Sequence, residues 1–255
     1  MGKIIAVANQ KGGVGKTTTT FNLGCALSQL GSRVLLIDND PQGNLTSYAT
    51  SGAELRETAI DEIYVSRSPK LVEKNHLLKV SENLFLLAAD SMLAGVEYYL
   101  MTRENKEFVL SNALKEIRKD FDYVLIDNPP SLNLLTLNGL VAADGLLIPV
   151  QLEYFSLEGI VFLQRTIESL KMKNPKLNLV GIIPNMFDER RKLNGEVLEL
   201  LKKEFGDKVF QTSIHDSVKI AESTGHGQSI MAYAPLSRAA EEYLSLAKEV
   251  LAHAD

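Results

Sequence analysis

The sequence predicts an α/β fold: a doubly wound, mostly parallel sheet with helices on both faces, formed as one domain over residues 1–255. Short apolar runs alternate along the chain with longer amphipathic segments. The runs are continuously rich in Val, Ile and Leu, which is typical of strands buried on both faces of a parallel sheet. We find no internal repeat and no Pro/Gly/Ser-rich linker, so nothing in the sequence marks a domain boundary.

Each apolar run is predicted to be a strand, in the order Lys3–Ala8, Val34–Asp38, Leu84–Ala88, Tyr123–Asp127, Gly145–Val150 and Leu179–Pro184. The amphipathic segments are predicted to be helices, over Thr17–Leu30, Lys106–Lys119, Leu157–Lys171, Asn194–Phe205 and Ser237–Ala252. Between Tyr48 and Asn83 the sequence is polar and weakly periodic, and we expect short helices over one edge of the sheet. Ligands of such sheets bind beyond the carboxyl ends of the strands, so the residues that follow each run are candidate functional residues.

The composition is that of a globular protein, with 45% hydrophobic and 23% charged residues in 255. No apolar run approaches the roughly 18 residues of a membrane helix, and no signal-like leader precedes the first strand, so we expect a cytoplasmic protein. Cys25 is the only cysteine, which excludes a disulfide framework and a cluster of thiolate metal ligands. The net charge of −5 argues against a broadly basic nucleic-acid surface, although phosphate contacts depend on local patches.

A phosphate-binding loop is predicted directly after the first strand, at residues 9–19, NQKGGVGKTTT. It fits the second half of the pattern G-x-x-x-x-G-K-[ST], but Gln10 stands where the first glycine is expected. Its glycines let backbone N–H groups approach phosphate oxygens, Lys16 supplies a charge for the β and γ phosphates, and the Thr17 hydroxyl suits Mg²⁺. The alternative is a glycine-rich turn with a solvated lysine. The predicted nucleotide-binding residues of the loop are Lys11, Gly12, Gly13, Val14, Gly15, Lys16, Thr17 and Thr18.

The segment KGGVGKTT resembles the deviant Walker A motif of the ParA/MinD group of ATPases. The resemblance implies that Lys11 reaches across a dimer interface to the nucleotide of the partner subunit, while Lys16 is the usual lysine acting within its own subunit. It places Gly12 where the two subunits meet closely. It also implies ATP and Mg²⁺ as cofactors and an ATP-dependent homodimer. A lysine at position 11 would stand at the rim of the loop, where a second cation can neutralise charge on the γ phosphate.

Two acidic segments follow predicted strands, DNDPQGN at residues 38–44 and DNPPS at residues 127–131. Carboxylates delivered by neighbouring strand ends to one phosphate loop are what an Mg²⁺-nucleotide site requires, so Asp127 is expected to hold Mg²⁺ together with Thr17. The resemblance implies that Asp40 positions the attacking water and that Asp38 supports the metal, which makes Lys11, Lys16 and Asp40 the predicted catalytic residues. The alternative for each aspartate is a turn or helix-cap residue, and for Asp38 the two interpretations have equal weight.

The resemblance extends from Ile4 to about Leu251. Residues 153–159, EYFSLEG, look like a segment of ParA/Soj proteins, and residues 181–188, GIIPNMFD, lie where that group frames the adenine base. Asn185 could therefore read the edge of the base, or it could be a turn residue. Within the group, the lone cysteine is unlike the nitrogenase iron proteins, and the final segment 247–255 lacks the basic amphipathic helix of MinD proteins. The short ParA/Soj type remains, and stable membrane attachment is not expected.

That type binds DNA without sequence preference when dimeric, and its hydrolysis is stimulated by a ParB-type partner. The predicted DNA contacts are Arg190, Arg191, Lys192 and Lys219, and DNA binding would make the protein nucleoid-associated. One departure opposes this assignment: where Soj-type proteins carry I-P-R-N-V-R, this chain has His215 and Asp216 in place of Pro-Arg, so an acid replaces a cation. Two alternatives therefore stay open, a nucleotide switch that positions a membrane or envelope assembly without DNA, and a metabolic ATP-dependent ligase or kinase with the same fold.

Overall fold

The computed structural model describes residues 1–51, 59–66, 68–153, 161, 165, 168–169 and 171–253. Its strands form one eight-stranded sheet in the order β3-β4-β2-β5-β1-β6-β7-β8. Every neighbouring pair is parallel except β3 and β4. The strands are β1 (Lys3–Val7), β2 (Val34–Asp38), β3 (Leu78–Lys79), β4 (Leu84–Leu87), β5 (Tyr123–Asp127), β6 (Gly145–Gln151), β7 (Asn178–Phe187) and β8 (Ile214–His215).

Helices cover both faces of this sheet. In the described part of the chain they are α1 (Lys16–Gln29), α2 (Asn44–Thr50), α3 (Ile60–Val65), α4 (Val96–Met101), α5 (Val109–Ala113), α6 (Leu134–Ala142), α7 (Lys192–Phe205), α8 (Val218–Gly225), α9 (Ile230–Tyr233) and α10 (Arg238–His253). Successive residues of β1 enter different cores: Ile4 and Ala6 belong to one cluster, and Ile5 and Val7 to the other. The sheet is therefore buried on both sides, which confirms the predicted fold class.

All six predicted strands are present, and β7 continues past its predicted end at Pro184 to Phe187. The helix expected over Lys106–Lys119 is wrong as a continuous element. It consists of a 3₁₀ turn at Lys106–Phe108, the short α5, and a second 3₁₀ turn at Ile117–Asp120. The physical reason is Asn138 of α6, whose amide donates to Lys106 O at 2.8 Å and accepts from Leu110 N at 3.1 Å. It thereby takes the two backbone groups that a continuous helix would pair with each other.

The helix α6 itself was not predicted from the sequence. Most of its residues are buried, because it lies between other elements rather than at the surface. A helix that is apolar on every side shows no amphipathic period. The predicted helix over Leu157–Lys171 and the segment 154–159 lie largely outside the described residues. No helix of the described ranges is both long enough and apolar enough to pass through a bilayer.

Close packing of α6 gives a test of the fold. A β-carbon on Gly139 would overlap the buried side chain of Asn128, whereas one on Gly195 of α7 would meet no described atom within 4 Å. We expect Gly139→Ala to lower the free energy of unfolding by about 1–3 kcal/mol relative to Gly195→Ala, since both helices gain the same propensity but only α6 is overpacked. Urea denaturation measures the difference. Equal stability of the two variants would show that α6 does not lie against Asn128.

Candidate functional site

The loop between β1 and α1 has the backbone of an anion-binding turn. Gly13 and Gly15 have φ of 75° and 83°, in the left-handed region that glycine adopts without steric cost. Gly15 is the N-cap of α1, and its carbonyl accepts the first helical hydrogen bond from Thr19 N at 2.8 Å. The N-terminus of α1 and its backbone N–H groups are thus presented to the loop, an arrangement that favours phosphate.

Asn185, on β7, supports this loop from the side. Its side-chain amide donates to Val14 O at 2.7 Å and accepts from Met186 N at 3.0 Å. Together with Gly15 and Thr18 it lines a cavity of about 180 Å³ that adjoins the loop. The structure thus brings Asn185 to the phosphate loop, where its side-chain amide binds the loop backbone. Contact with adenine stays a prediction.

Lys16 is buried at the start of α1, and its Nζ donates to Lys11 O at 3.2 Å. Burial lowers the pKa of its ammonium group, whereas the nearby charges of Asp127 and Asp40 raise it. The side chain is therefore folded back over the loop and lies in the field of two carboxylates. An ammonium group placed there can bind the terminal phosphates of a nucleotide in the same subunit.

Asp38 and Asp127 are brought together by the register of the sheet. They are the last residues of β2 and β5 and are paired directly across these neighbouring parallel strands. Asp127 accepts a hydrogen bond of 2.7 Å from the Thr17 hydroxyl and one of 3.5 Å from the Thr20 hydroxyl. The neighbouring strand ends thus converge on the phosphate loop, as the sequence predicted.

The donors at this point fit Mg²⁺. Thr17 and Asp127 offer hard oxygen atoms, and Mg²⁺ in nucleotide sites is held by one or two such groups together with phosphate oxygens and water. Among the described residues, no group of three or more acidic, histidine or cysteine side chains is arranged to hold a metal ion by itself. Thr17 and Asp127 would hold the ion jointly with a nucleotide, and it would neutralise phosphate charge there.

The carboxylate of Asp38 is bound by Thr46 of α2. Its Oδ2 accepts from the backbone and the hydroxyl of Thr46, each at 2.7 Å, and its Oδ1 accepts from Asp40 N at 3.2 Å. Burial raises the pKa of Asp38 to about 6, and the hydrogen bonds from Thr46 oppose that shift. The structure therefore shows Asp38 anchoring the segment that leads into α2. Its support of the metal remains a prediction.

Asp40 is buried beside the same cluster, two residues beyond the end of β2. Its Oδ1 accepts from Gln42 N at 3.0 Å, a bond within its own turn. Its charge raises the pKa of Lys16 and that of Asp127. Its role in positioning water also stays a prediction.

The charges of Asp38 and Asp40 disfavour the ionised form of Asp127. Burial raises the pKa of Asp127 well above its ordinary range, and the charges of Asp38 and Asp40 raise it further. The Thr17 hydrogen bond and Lys16 oppose this only in part. A buried cluster of like charges has an energetic cost, and a divalent cation relieves it.

Lys11, Gly12 and Gly13 are exposed at the rim of the loop. The Lys11 ammonium forms an ion pair of 2.5 Å with Glu153 and a hydrogen bond of 3.3 Å to Gln151, at the end of β6. A β-carbon on Gly12 would touch nothing within 4 Å among the described atoms. Lys11 thus lies on the surface and is held within its own subunit by a neighbouring acid.

The predicted DNA contacts lie in the segments that follow β7 and β8. Arg190 and Lys219 line one cavity of about 590 Å³, and Arg238 also lines it. Arg190 makes two hydrogen bonds to the carboxylate of Asp188, at 2.9 and 3.0 Å, which lower the pKa of Asp188 to about 2.

The remaining predicted contacts also have acidic neighbours: Arg191 lies 3.4 Å from Asp188 and Lys192 lies 3.5 Å from Glu196. The cations are therefore clustered as predicted, but acids partly neutralise them.

The phosphate loop, the lysine at the start of α1 and the carboxylate beside its threonine define a P-loop nucleotide-binding protein. A family model described as "AAA domain" matches residues 2–179. The chain is 44% identical over 256 residues to the sporulation initiation inhibitor protein Soj of Bacillus subtilis, covering 99% of this chain and 100% of Soj. It is 40% identical over 254 residues to the chromosome partitioning protein ParA of Caulobacter vibrioides, covering 98% and 94%.

Among solved structures, it is similar to cobyrinic acid a,c-diamide synthase from Mycobacterium smegmatis with bound ADP and magnesium, with a TM-score of 0.82, 35% identity, and coverage of 99% of this chain and 95% of that chain. The chain therefore belongs to the ParA/Soj family of chromosome-partitioning ATPases. The family predicted from the deviant Walker A motif is thereby confirmed.

Several residues around the site were not predicted. Thr20 and Thr46 bind the carboxylates, and a buried set of polar side chains lies behind them, namely Asn39, Tyr64 and Asn128. Asn39 and Asn128 each directly follow a predicted aspartate, a repetition that is visible in the sequence. Tyr64 had no such signal, because it lies in a weakly periodic segment.

The cluster of buried carboxylates predicts that loss of the Asp127 charge stabilises the fold but weakens nucleotide binding. In magnesium-free protein at pH 8, Asp127→Asn should raise the free energy of unfolding by about 1 kcal/mol or more, because it removes a buried charge. A raised pKa means that the carboxylate destabilises the fold as the pH rises above its unfolded value, so the gain should disappear near pH 4. The same variant should lose Mg²⁺-dependent nucleotide binding.

Chemical denaturation at the two pH values measures this effect, with the exposed Glu82→Gln as the control that leaves stability unchanged. An Asp127→Asn variant that is less stable than the wild type at pH 8 would contradict the electrostatic account.

Proposed function

We propose that this protein is a Mg²⁺-dependent ATPase of the partitioning type, which pairs around ATP, binds DNA without sequence preference as a dimer, and is released after hydrolysis stimulated by a ParB-type partner. The observation that carries the proposal is the phosphate loop with two lysines in different positions. Lys16 is buried over the loop, whereas Lys11 is exposed at its rim. One lysine serves the bound nucleotide, and the other is available to a neighbouring subunit.

In this proposal the nucleotide phosphates lie against the backbone of residues 12–18 and the N-terminus of α1. Lys16 binds the β and γ phosphates, and Thr17 with Asp127 holds Mg²⁺. Asp40 orients the attacking water, because it is buried and its carboxylate accepts from Gln42 N of its own turn, so that an oxygen remains to accept from water. Asn185 lies next to the base.

Pairing of two subunits is expected to move Lys11. In the single subunit its ammonium lies on Glu153, and the open surface around Gly12 leaves room for a second chain. A γ phosphate in the partner would attract the same ammonium more strongly than an exposed carboxylate does, since surface ion pairs contribute only about 0–1 kcal/mol. The nucleotide thus supplies the free energy for association.

Substitution of Lys11 and substitution of Lys16 should have different effects. Lys11→Ala should bind ATP within about threefold of the wild type but fail to form the dimer, whereas Lys16→Ala should lose ATP binding about tenfold or more, since it removes a charge-assisted contact to phosphate. Light scattering with a slowly hydrolysed ATP analogue gives the mass, and titration of a fluorescent analogue gives the affinity. A Lys11→Ala variant that dimerises as the wild type does would refute the role of Lys11.

The DNA-binding part of the proposal depends on the cavity lined by Arg190, Lys219 and Arg238. Each subunit offers few cations there, and acids accompany them, so binding by one subunit is expected to be weak. Two subunits side by side double the number of phosphate contacts, and affinity rises steeply with that number. This makes DNA binding dependent on ATP.

Retention of random duplex DNA at several salt concentrations tests this part. We expect retention only with ATP and a steep loss as salt rises, and we expect Arg190→Ala to weaken it about tenfold, because one phosphate contact per subunit is lost. Lys79→Ala, an exposed cation on β3 at the opposite edge of the sheet, is the matched control. Retention that does not respond to salt, or equal loss in both variants, would refute a phosphate-binding surface at this cavity.

A second function is favoured by the acids of the same cavity. Asp188, Glu189, Asp216 and Glu242 line it together with the cations. If ATP-dependent pairing occurs and DNA is not retained at low salt, the protein is a nucleotide switch that positions a membrane or envelope assembly. ATP turnover that requires a small-molecule acceptor would instead identify a ligase or kinase.

A further inference from the structure

A buried polar network lies behind the carboxylates of the site. Tyr64 Oη donates to Asn39 Oδ1 at 2.8 Å, and Asn39 Nδ2 donates to Asn128 Oδ1 at 3.0 Å and to Leu135 O at 2.8 Å. Asn128 Nδ2 in turn donates to two backbone carbonyls, of Val7 at 3.2 Å and Ile126 at 3.1 Å. The three polar side chains are fully or almost fully buried. The network therefore joins α3, α6 and the ends of β1, β2 and β5.

Asn39 lies between Asp38 and Asp40 but makes its contacts on the other side of the sheet. Asp38 bonds to Thr46, whose neighbour Leu45 belongs to one hydrophobic core, while Tyr64 and Leu135 belong to the other core. Alternate residues of an extended chain point in opposite directions, so Asn39 holds the segment from behind. Its backbone N–H also donates to Asp127 O at 3.0 Å. The segment that carries Asp40 is therefore fixed through Asn39.

Asp40 needs such support. Its side chain accepts from Gln42 N, which belongs to its own turn, and its backbone N–H donates to Asp38 at 3.2 Å. Neither bond reaches the phosphate loop. The distance between the Asp40 carboxylate and a nucleotide bound by that loop is consequently set by the backbone on either side of Asp40.

We propose that Tyr64 is a positioning residue for hydrolysis: its hydroxyl fixes the Asn39 amide, and the amide fixes Asp40 relative to the phosphate loop. The inference rests on the proposed role of Asp40. Burial raises the pKa of Tyr64 far above neutral pH, so the hydroxyl keeps its proton and acts as a donor. Without it, Asn39 Oδ1 loses its donor in a dry environment, and the amide is oriented less firmly, by the two hydrogen bonds of its Nδ2.

The helix that carries Tyr64 is itself firmly held. Arg103 donates to the carbonyls of Tyr64 and Ser66, at 3.3 and 3.0 Å, and the N–H of Ile60 donates to Ala88 O at 2.9 Å. The hydroxyl of Tyr64 is thus presented from a fixed helix. A fixed donor on the far side of the sheet defines one orientation of Asn39.

The test compares two buried tyrosines. Tyr64→Phe removes the hydroxyl that binds Asn39, and Tyr48→Phe removes a hydroxyl of α2 that bonds to Asn22 at 3.3 Å and Ser223 at 3.2 Å, away from the carboxylates. We expect Tyr64→Phe to slow single-turnover ATP hydrolysis about 10- to 100-fold, because small displacements of a positioning group are costly, with the ATP dissociation constant changed by less than about twofold. Tyr48→Phe should lower only the unfolding midpoint.

A second variant distinguishes positioning from general loss of stability. In an Asn39→Ala background, Tyr64→Phe should cause no further loss of rate, because both changes interrupt the same connection. A rate for Tyr64→Phe equal to that of Tyr48→Phe, or additive losses in the double variant, would overturn the inference. Normal hydrolysis by Asp40→Ala would overturn both this inference and the proposed role of Asp40. Loss in Asp40→Ala with a wild-type rate in Tyr64→Phe would overturn the inference alone.

Discussion

The structure of the site depends on one constraint: Asp38 and Asp127 end neighbouring parallel strands in direct register and are buried together, with Asp40 close by. Burial in a low-dielectric interior raises the pKa of Asp127 well above its usual range, and repulsion from Asp38 and Asp40 raises it further. The fold tolerates them because each has specific donors. Hydroxyls of α1 bind Asp127, and Thr46 of α2 binds Asp38. Lys16 brings the compensating charge from the phosphate loop, so the loop and the carboxylates depend on each other.

The same constraint explains why the sheet, α1 and α2 each contribute a different part of the site. The register of the sheet places Asp38 beside Asp127. The helix α1 contributes its positive N-terminus and the hydroxyls of Thr17 and Thr20, which bind Asp127. The helix α2 anchors the acidic segment through the bond between Thr46 and Asp38. The buried amides of Asn39 and Asn128 hold that segment from behind. Such a cluster of buried carboxylates is electrostatically unfavourable, and a cation bound with phosphate would stabilise it. We therefore expect nucleotide binding and fold stability to make opposite demands on Asp127.

Much of this could be predicted from the sequence, because strong local patterns encode it. Continuous apolar runs identified six of the strands, and the residues at their carboxyl ends identified the phosphate loop, Asp38 and Asp127. What could not be predicted depends on distant side chains. Asn138 breaks the helix expected after Lys106, and Glu153, the partner of Lys11, lies 142 residues further along the sequence, after the strand β6 that pairs with β1.

The charged residues around Arg190 could likewise be predicted only in part from the sequence. Sequence spacing indicated the cluster around Arg190, but only the structure shows that Asp188 already binds this guanidinium. With a net charge of −5, the proposed DNA binding would depend on this small patch and on the pairing of two subunits. The acids that line the same cavity are the reason we expect the proposed DNA binding to depend on pairing.

We infer that a metal-bound nucleotide balances the charge of the buried carboxylates. The most direct measurement is the unfolding midpoint of the wild-type protein with ATP, in the presence of Mg²⁺ and in the presence of EDTA. We expect the midpoint to rise by several degrees with Mg²⁺ and ATP together, on the order of 2–3 kcal/mol at saturating ligand, and to rise little or not at all when EDTA removes the metal. Equal stabilisation by ATP with and without Mg²⁺ would contradict it.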